Sequence, residues 1–435
     1  MMYLIYKLKK MSKNYIIALY QIPSSSLLIK LFDNNYSKIL SKIDKLLIDN
    51  KEIEDPSEYY KFSKKGIHSI CIMLNSELDS MQNLFSDCFY LIEIDLSNLI
   101  TSKVKNMSNL FHRCSSLEYI DFKNINSSNV IDMQKMFFGC SRLKDLNLTM
   151  FDTSKVKNMS NLFNSCSSLS KIKISSDKFD TSNVEYMDNM FAFCSELEDI
   201  DLSKFNTSKV KDMNNLFYSC KKLENLNLES FDTSNVENMG AVFSNCTNLS
   251  FIIFSDKFVT KKVTNMQHMF DNCKKLEFLD LSSFSTESVE NMEFMFYGCE
   301  SLSNLDLSSF TINKVKNIRN IFHNCKSLIV LDLCNFTSNE FLIELNYMFY
   351  NCANLISVDL SNFSADKVTN FEHMFDGCEN LNNISMGKFN FNINNGEKVK
   401  KMFQGIPNEG SFVCNKNTAK NLIGLLPGSW EKVIM

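Results

Sequence analysis

The chain has 435 residues, 22% of them charged, and a formal net charge of −4. So slight a balance argues against a nucleic-acid or anionic-membrane partner. Thirty-seven Phe, 23 Met and 15 Cys stand beside only 11 Gly, 4 Pro and 5 His, which leaves little material for irregular loops or for histidine-based metal and general-base chemistry.

In chain order, Lys7, Lys9, Lys10 and Lys13 come first, ahead of the apolar run Tyr15-Ile16-Ile17-Ala18-Leu19-Tyr20. That run is short for the core of a signal peptide and no small-residue cleavage site follows, so it reads as a cap strand. Met1 and Met11 are both possible starts. No apolar run reaches the roughly 18–20 residues of a membrane-spanning helix. Residues 34–49, with Ile39, Leu40, Ile43, Leu46 and Leu47, read as an amphipathic helix covering the first repeat. Ile67-His68-Ser69-Ile70-Cys71-Ile72 reads as a degenerate leading strand.

A Phe-x-x-Cys-x-x-Leu core then recurs twelve times, with its cysteines at 88, 114, 140, 166, 194, 220, 246, 273, 299, 325, 352 and 378. Eight of the eleven intervals are 26 residues, two are 27 and one is 28. Drift that small, with the phase always recovered, marks stacked units with insertions in surface loops. In one unit Val156, Met159, Phe163, Cys166 and Leu169 lie at offsets 0, 3, 7, 10 and 13, which at about 100° per residue span roughly 140° of a helix. In-out-in segments follow, such as Ile200-Asp201-Leu202 and Leu331-Asp332-Leu333, and these read as short strands. Ser182 with Glu185 and Ser234 with Glu237 have capping-box spacing for the next helix.

The expected fold is an α/β repeat solenoid: a leucine-rich-repeat-like, right-handed array of short helix–turn–short strand units forming one parallel sheet. At about 4.8 Å per strand, twelve repeats give an inner face of roughly 55 Å. The expected divisions are a cap over residues 1–66, the solenoid over 67–402, and a closing cap over 403–435. Val399, Met402 and Phe403 begin a thirteenth unit in which Ile406 replaces Cys, and the single Trp, Trp430, belongs to the cap.

The run Asn-Met-Ser-Asn-Leu-Phe-Asn-Ser-Cys-Ser-Ser-Leu at 158–169 and the segment 226–236 carry a resemblance. They resemble the BspA-type leucine-rich-repeat surface proteins, and more closely the branch known as a mycoplasma repeat of unknown function. The resemblance covers about residues 67–403, and the tail Leu426-Pro427-Gly428-Ser429-Trp430 is similar to segments that close such arrays. It implies a non-catalytic array displayed on the cell surface or secreted, binding host or matrix proteins or neighbouring cells. The absence of a clear signal peptide leaves an intracellular location open.

Residues that could carry chemistry have competing readings. The twelve register cysteines share one slot of a buried stripe, with neighbouring Cβ vectors parallel, so they read as core thiols rather than disulfides or a metal site. Cys71, Cys334 and Cys414 are off register, and Cys334 is the reactive-thiol candidate. Asp95, Asp121, Asp201, Asp280, Asp306, Asp332 and Asp359 occupy outward strand positions, with Asn147 and Asn227 in two more. They read either as solubilising polarity or as an acidic recognition stripe. Phe251, Ile253 and Phe278 fall at outward positions where other repeats are polar, an exposed apolar patch unless the strand register slips by one residue. Lysines near the unit starts (Lys103, Lys105, Lys155, Lys157, Lys209, Lys211, Lys261 and Lys262) read as a solvated face. Gly139 and Gly298 read as turn residues.

No catalytic constellation, cofactor motif or metal-ligand spacing stands out. The expectation is therefore a monomeric protein-binding solenoid that is not an enzyme and has no cofactor, no nucleic-acid partner and no transmembrane segment. An intracellular interaction scaffold is the alternative to surface adhesion.

Overall fold

The computed structural model describes every residue except 1–13, 175–176, 338–339, 364–366, 390–398 and 400. The chain forms two compact units, Met1–Lys209 and Val210–Met435. The basic run Lys7 to Lys13 and both possible start residues lie outside the described residues.

The first unit opens with a β-rich cap. Tyr15–Ile22 is the expected cap strand, β1, and after Leu28–Lys30 (β2) the segment read as an amphipathic helix takes a different form. A single 3-10 turn at Ile39–Lys42 gives way to β3, Ile43–Ile48. Leu46 and Ile48 are buried and Leu47 half-buried, so the same apolar residues obey the period of a strand, an ambiguity that a short run cannot resolve. Lys51–Ile53 (β4) and Tyr59–Lys61 (β5) follow, then Gly66–Leu74 (β6), which contains the expected leading strand. β1 pairs antiparallel with β6 on one side and with Leu91–Asp95 (β7), the first repeat strand, on the other. Cap and repeats thus share a six-stranded sheet ordered β4-β3-β6-β1-β7-β8, where β8 is Tyr119–Asp121. β9, Asp145–Asn147, pairs parallel with β10, Lys171–Lys173.

Most repeats contain the expected strand, but Ile200-Asp201-Leu202, Leu279-Asp280-Leu281 and Leu305-Asp306-Leu307 form none, the strands of the described residues fall into separate sheets rather than one parallel sheet, and the expected helices are absent. Among the described residues the one α-helix is Lys416–Leu422 (α1), beyond the repeats. In the coil around Cys114, Leu110, His112, Cys114 and Leu117 donate their N–H groups three residues back, to Met107, Asn109, Phe111 and Cys114. Met107, Asn109, Phe111 and Arg113 instead donate to Asp132, Gln134, Met136 and Phe138 of the next coil, at 3.0, 2.8, 2.8 and 2.6 Å. Asn109 (φ 55°) and Arg113 (φ 59°) are left-handed, and the same two slots have positive φ throughout the repeats.

Two left-handed residues four apart in each coil stop a helix from propagating, and sending alternate N–H groups of that segment to the next coil zips the stack together. Linked β-turns bring every third or fourth residue inward, as a helix does. The stripe was therefore placed correctly and the element was not. Segments such as Asn-Met-Ser-Asn-Leu-Phe-Asn-Ser-Cys are also poor in strong helix formers.

Three buried ladders hold each stack. Phe85, Phe111, Phe137, Phe163 and Phe191 stack ring on ring in the first unit, with centroids 5.5–5.9 Å apart. Phe217, Phe243, Phe270, Phe296, Phe322, Phe349, Phe375 and Phe403 do so in the second, at 5.3–6.1 Å. The cysteine of a coil donates its thiol to the carbonyl of the preceding coil's Phe, as Cys114 does to Phe85 (3.0 Å) and Cys325 to Phe296 (3.1 Å). That oxygen also accepts its own coil's Cys N–H, as the Phe296 carbonyl does from Cys299 (3.2 Å). A small apolar side chain with one weak donor suits the slot. The third ladder is of Thr, such as Thr153 and Thr260, whose hydroxyls donate to the next coil's backbone.

Side-chain carbonyls set the corners. In one first-unit coil Asn147, Asp152 and Asn158 each accept the N–H two residues on, from Thr149, Ser154 and Ser160. Asn227, Asp232 and Asn238 do the same for Glu229, Ser234 and Gly240 in the second unit. These are Asx turns. They replace the capping boxes expected at Ser182/Glu185 and Ser234/Glu237: the Ser182 N–H goes to Asp180 and the Ser234 N–H to Asp232.

In the second unit, Asn225–Leu228 (β11) pairs parallel with Phe251–Phe254 (β12). A five-stranded parallel sheet follows: Val330–Asp332 (β13), Ser357–Asp359 (β14), Asn383–Met386 (β15), Ser411–Cys414 (β16) and Glu431–Ile434 (β17). The thirteenth unit exists as a partial coil. Val399, Met402, Phe403 and Ile406 are buried, and Gly405, at φ +77°, lies where a Cβ would come within 3.3 Å of the Gly377 backbone. The tail then adds β16, α1 and β17, with Trp430 buried and its indole N–H donated to the Pro407 carbonyl at 2.9 Å.

Candidate functional site

The outward positions of the strand segments carry different residue types from coil to coil. In β11, Asn225 and Asn227 are exposed and Leu226 and Leu228 buried. The β11–β12 register sets Asn225 beside Phe251, Leu226 beside Ile252 and Asn227 beside Ile253. Ile252 is 5% exposed and Phe251 43%, so the strand has not slipped. Ile253 is half-buried. Phe278, at the Phe251 position of the next coil, is 61% exposed.

Val330 lies in the same column, and exposed Ile329 and Ile356 stand one position before it, joined by an Ile356 N–H to Ile329 carbonyl bond of 2.8 Å. In the first unit Tyr119 is the exposed apolar member of that column. Sequence reasoning missed these four. The continuous apolar runs Leu328-Ile329-Val330-Leu331 and Leu355-Ile356 were the available signal.

The acidic row has a structural task. Asp95, Asp121, Asp201, Asp280, Asp306, Asp332 and Asp359 each accept the backbone N–H two residues on, at 2.7–3.0 Å. Asn147 and Asn227 replace Asp because an amide oxygen makes the same turn. Nor is the row one stripe. Asp95 pairs with Asp121 and Asp332 with Asp359, while Lys173 beside Asn147 interrupts the first unit's column. In the second unit Asp280, Asp306, Asp332 and Asp359 occupy four successive coils, next to the apolar column.

The backbone N–H groups of Ser282 and Ser308 hold the Asp280 and Asp306 carboxyls below the usual aspartate range. A depressed folded-state pKa contributes stability above about pH 4, where an unstructured Asp titrates, and loses it as pH falls through the folded value. Asp280→Asn keeps the turn but loses the carboxylate's contribution, so it is expected to lower the neutral-pH thermal midpoint slightly and to flatten its decline in acid, whereas Asp280→Ala loses the turn as well and lowers the midpoint further at both. Equal midpoints for Asn and Ala in a thermal melt would remove the turn from its assigned role.

All fifteen cysteines are free thiols, and all but Cys334 are buried. Burial pushes Cys88, Cys166 and Cys246 up to about 12 and Cys71 to about 11. Cys334 is the accessible thiol, but Asp332 and its neighbours raise it, so the most exposed cysteine is not an activated one. The lysines are coupled across coils: Lys155 bonds Asn129 (2.8 Å), Lys209 bonds Asn183 (2.6 Å) and Lys262 bonds Asn235 (2.6 Å). Among the described residues no three His, Cys, Asp or Glu side chains group to hold a metal, and no helix is long and apolar enough to cross a membrane.

Phe-stacked coils, inter-coil backbone bonds and an alternating strand face define the β-solenoid class of repeat protein. The chain belongs to the family described as Mycoplasma protein of unknown function, DUF285, whose model matches residues 79–177, 140–253, 252–341 and 332–417. No curated protein matches it. Solved structures with some similarity include an internalin of Listeria monocytogenes, at 14% identity over 67% of this chain and 80% of that one, with a TM-score of 0.25. Another is a leucine-rich-repeat protein of Leptospira interrogans, at 12% identity over 77% and 91%, with a TM-score of 0.27. Likeness so slight supports no conclusion about this chain.

Proposed function

We infer that the chain is a non-catalytic protein-binding solenoid that recognises its partner through the strand face of the second unit, most simply as a BspA-type surface adhesion or host-interaction protein. The observation that carries this is the exposure of Phe251 and Phe278 at positions that alternation reserves for polar groups. Large apolar side chains held outward from stacked coils mark interfaces. Asp280, Asp306, Asp332 and Asp359 beside them favour a partner that combines apolar and basic side chains.

A second reading, an intracellular interaction scaffold, is favoured by the fifteen free thiols, since oxidising compartments select for disulfides. Surface biotinylation of intact cells separates the two: labelling supports adhesion, and an unlabelled chain supports the scaffold.

The strand face is tested by Phe251→Ser/Phe278→Ser. The double variant should keep the thermal midpoint within a few degrees and weaken capture of the partner on cells or in lysate by about 30-fold or more, the scale of a lost aromatic anchor. A large drop in midpoint would show that these rings belong to the core and end the proposal.

A further inference from the structure

The acidic row of the Val210–Met435 unit carries more charge than its turns require. An Asx turn needs a side-chain oxygen, and Asn147 and Asn227 supply one without charge. Four successive coils nevertheless place a carboxylate there: Asp280, Asp306, Asp332 and Asp359. Like charges set side by side repel, and Asp306 works against the ionisation of Asp280. The fold therefore does not ask for this charge.

Other acids in the same coils are matched by a base from a neighbouring coil. Glu290 pairs with Lys316 (2.5 Å), Glu293 with Arg319, and Glu300 with Lys274 (3.0 Å) and Lys326 (2.8 Å). Among the described residues no lysine or arginine pairs with any of the four aspartates. Each is pinned by the N–H two residues on, from Ser282, Ser308, Cys334 and Ser361, at 2.7–3.0 Å. Asp280, Asp306 and Asp332 are exposed. Exposed Phe278 and Val330 lie two residues before Asp280 and Asp332, with Ile329 and Ile356 at the margin.

We propose that this face receives a basic amphipathic α-helix of a partner protein, laid along the stack from coil to coil. Its lysines or arginines lie over the four aspartates and its apolar stripe over Phe278 and Val330. The proposal rests on the strand-face reading above and adds the form of the partner. Spacing selects the helix. Phe270, Phe296, Phe322 and Phe349, the ring ladder of these same coils, repeat every 5.6–5.7 Å, and paired parallel strands lie about 4.8 Å apart. One helical turn rises about 5.4 Å, between the two, so helix residues three and four apart meet one coil after another. Alternate residues of an extended strand are about 6.6 Å apart and drift out of step.

The apolar and acidic columns are two residues apart along each segment, about 6.6 Å, and a helix about 10 Å across covers both. Apolar anchors supply affinity in such a contact, while the unmatched charges set register and reject acidic partners.

The test titrates the full chain with a synthetic amphipathic Leu/Lys peptide about 20 residues long, beside a scrambled peptide of the same composition. Calorimetry should give saturable binding with a Kd on the order of 10 μM, and circular dichroism should show the peptide becoming helical as it binds. Asp306→Asn/Asp332→Asn, which keeps both turns, should weaken binding about tenfold or more. No saturable binding below about 1 mM, equal binding of the scrambled peptide, a bound peptide that stays unfolded, or binding unchanged by the Asn variant would each overturn the proposal. The strand-face reading fails separately, when Phe251→Ser/Phe278→Ser leaves capture of the partner on cells undiminished. Capture that falls in that variant, with no binding of the Leu/Lys peptide to the wild-type chain, would keep the face and reject the helix.

Discussion

Phe296→Ala is expected to lower the unfolding free energy by about 3–5 kcal/mol, the cost of truncating a fully enclosed aromatic ring. Phe296 is 0% exposed and lies flat between Phe270 (5.6 Å) and Phe322 (5.7 Å), with interplanar angles of 5° on both sides. Its neighbours cannot collapse inward, because each coil is pinned by backbone bonds to the next: the Phe270 N–H donates to Met295 and the Phe296 N–H to Ile321. The cavity therefore persists, which places the loss toward the upper end of that range. Energetics in a stack pass between neighbours, so the damage should spread outward from one coil. Denaturant titration gives the total, and hydrogen exchange should show protection lost first at the coils of Cys273, Cys299 and Cys325. A loss below about 1 kcal/mol, the scale of a surface change, would show that the ring ladder is not the principal core.

Thr260→Val should cost roughly 2–4 kcal/mol although it removes no volume, because it orphans two backbone groups at once. Thr260 is fully buried. Its hydroxyl donates to the Ser285 carbonyl at 2.6 Å and accepts the Ser285 N–H at 2.8 Å. Valine keeps the shape and leaves both groups without a partner. Thr260→Ser keeps the oxygen and is expected to recover most of the loss, as Ser127 already serves the slot in the first unit, donating to the Asp152 carbonyl (3.0 Å) and accepting the Asp152 N–H (2.8 Å). Denaturation midpoints of the two variants decide it. Equal loss from Ser and Val would assign the cost to packing of the methyl group and sink the hydrogen-bond account.

The sequence alone determined the repeat, its register and its buried face. Val, Met, Phe, Cys and Leu at fixed offsets had to point inward because they are the apolar residues each unit can build a core from, and Val156, Met159, Phe163, Cys166 and Leu169 are all fully buried. The outward placement of Phe251 and Phe278 stayed open to a one-residue slip, because Phe251-Ile252-Ile253-Phe254 is apolar throughout, until the burial of Ile252 beside Leu226 and the exposure of both rings closed it. The tertiary structure decided the rest. A three-to-four residue inward period belongs equally to a helix and to linked β-turns, and only the destination of the N–H groups separates them. The bonds of Asn109 and Phe111 to Gln134 and Met136 exist only once a second coil is stacked. The acidic row needed coordinates for the same reason: outward placement was legible, but not that each Asp closes its own turn.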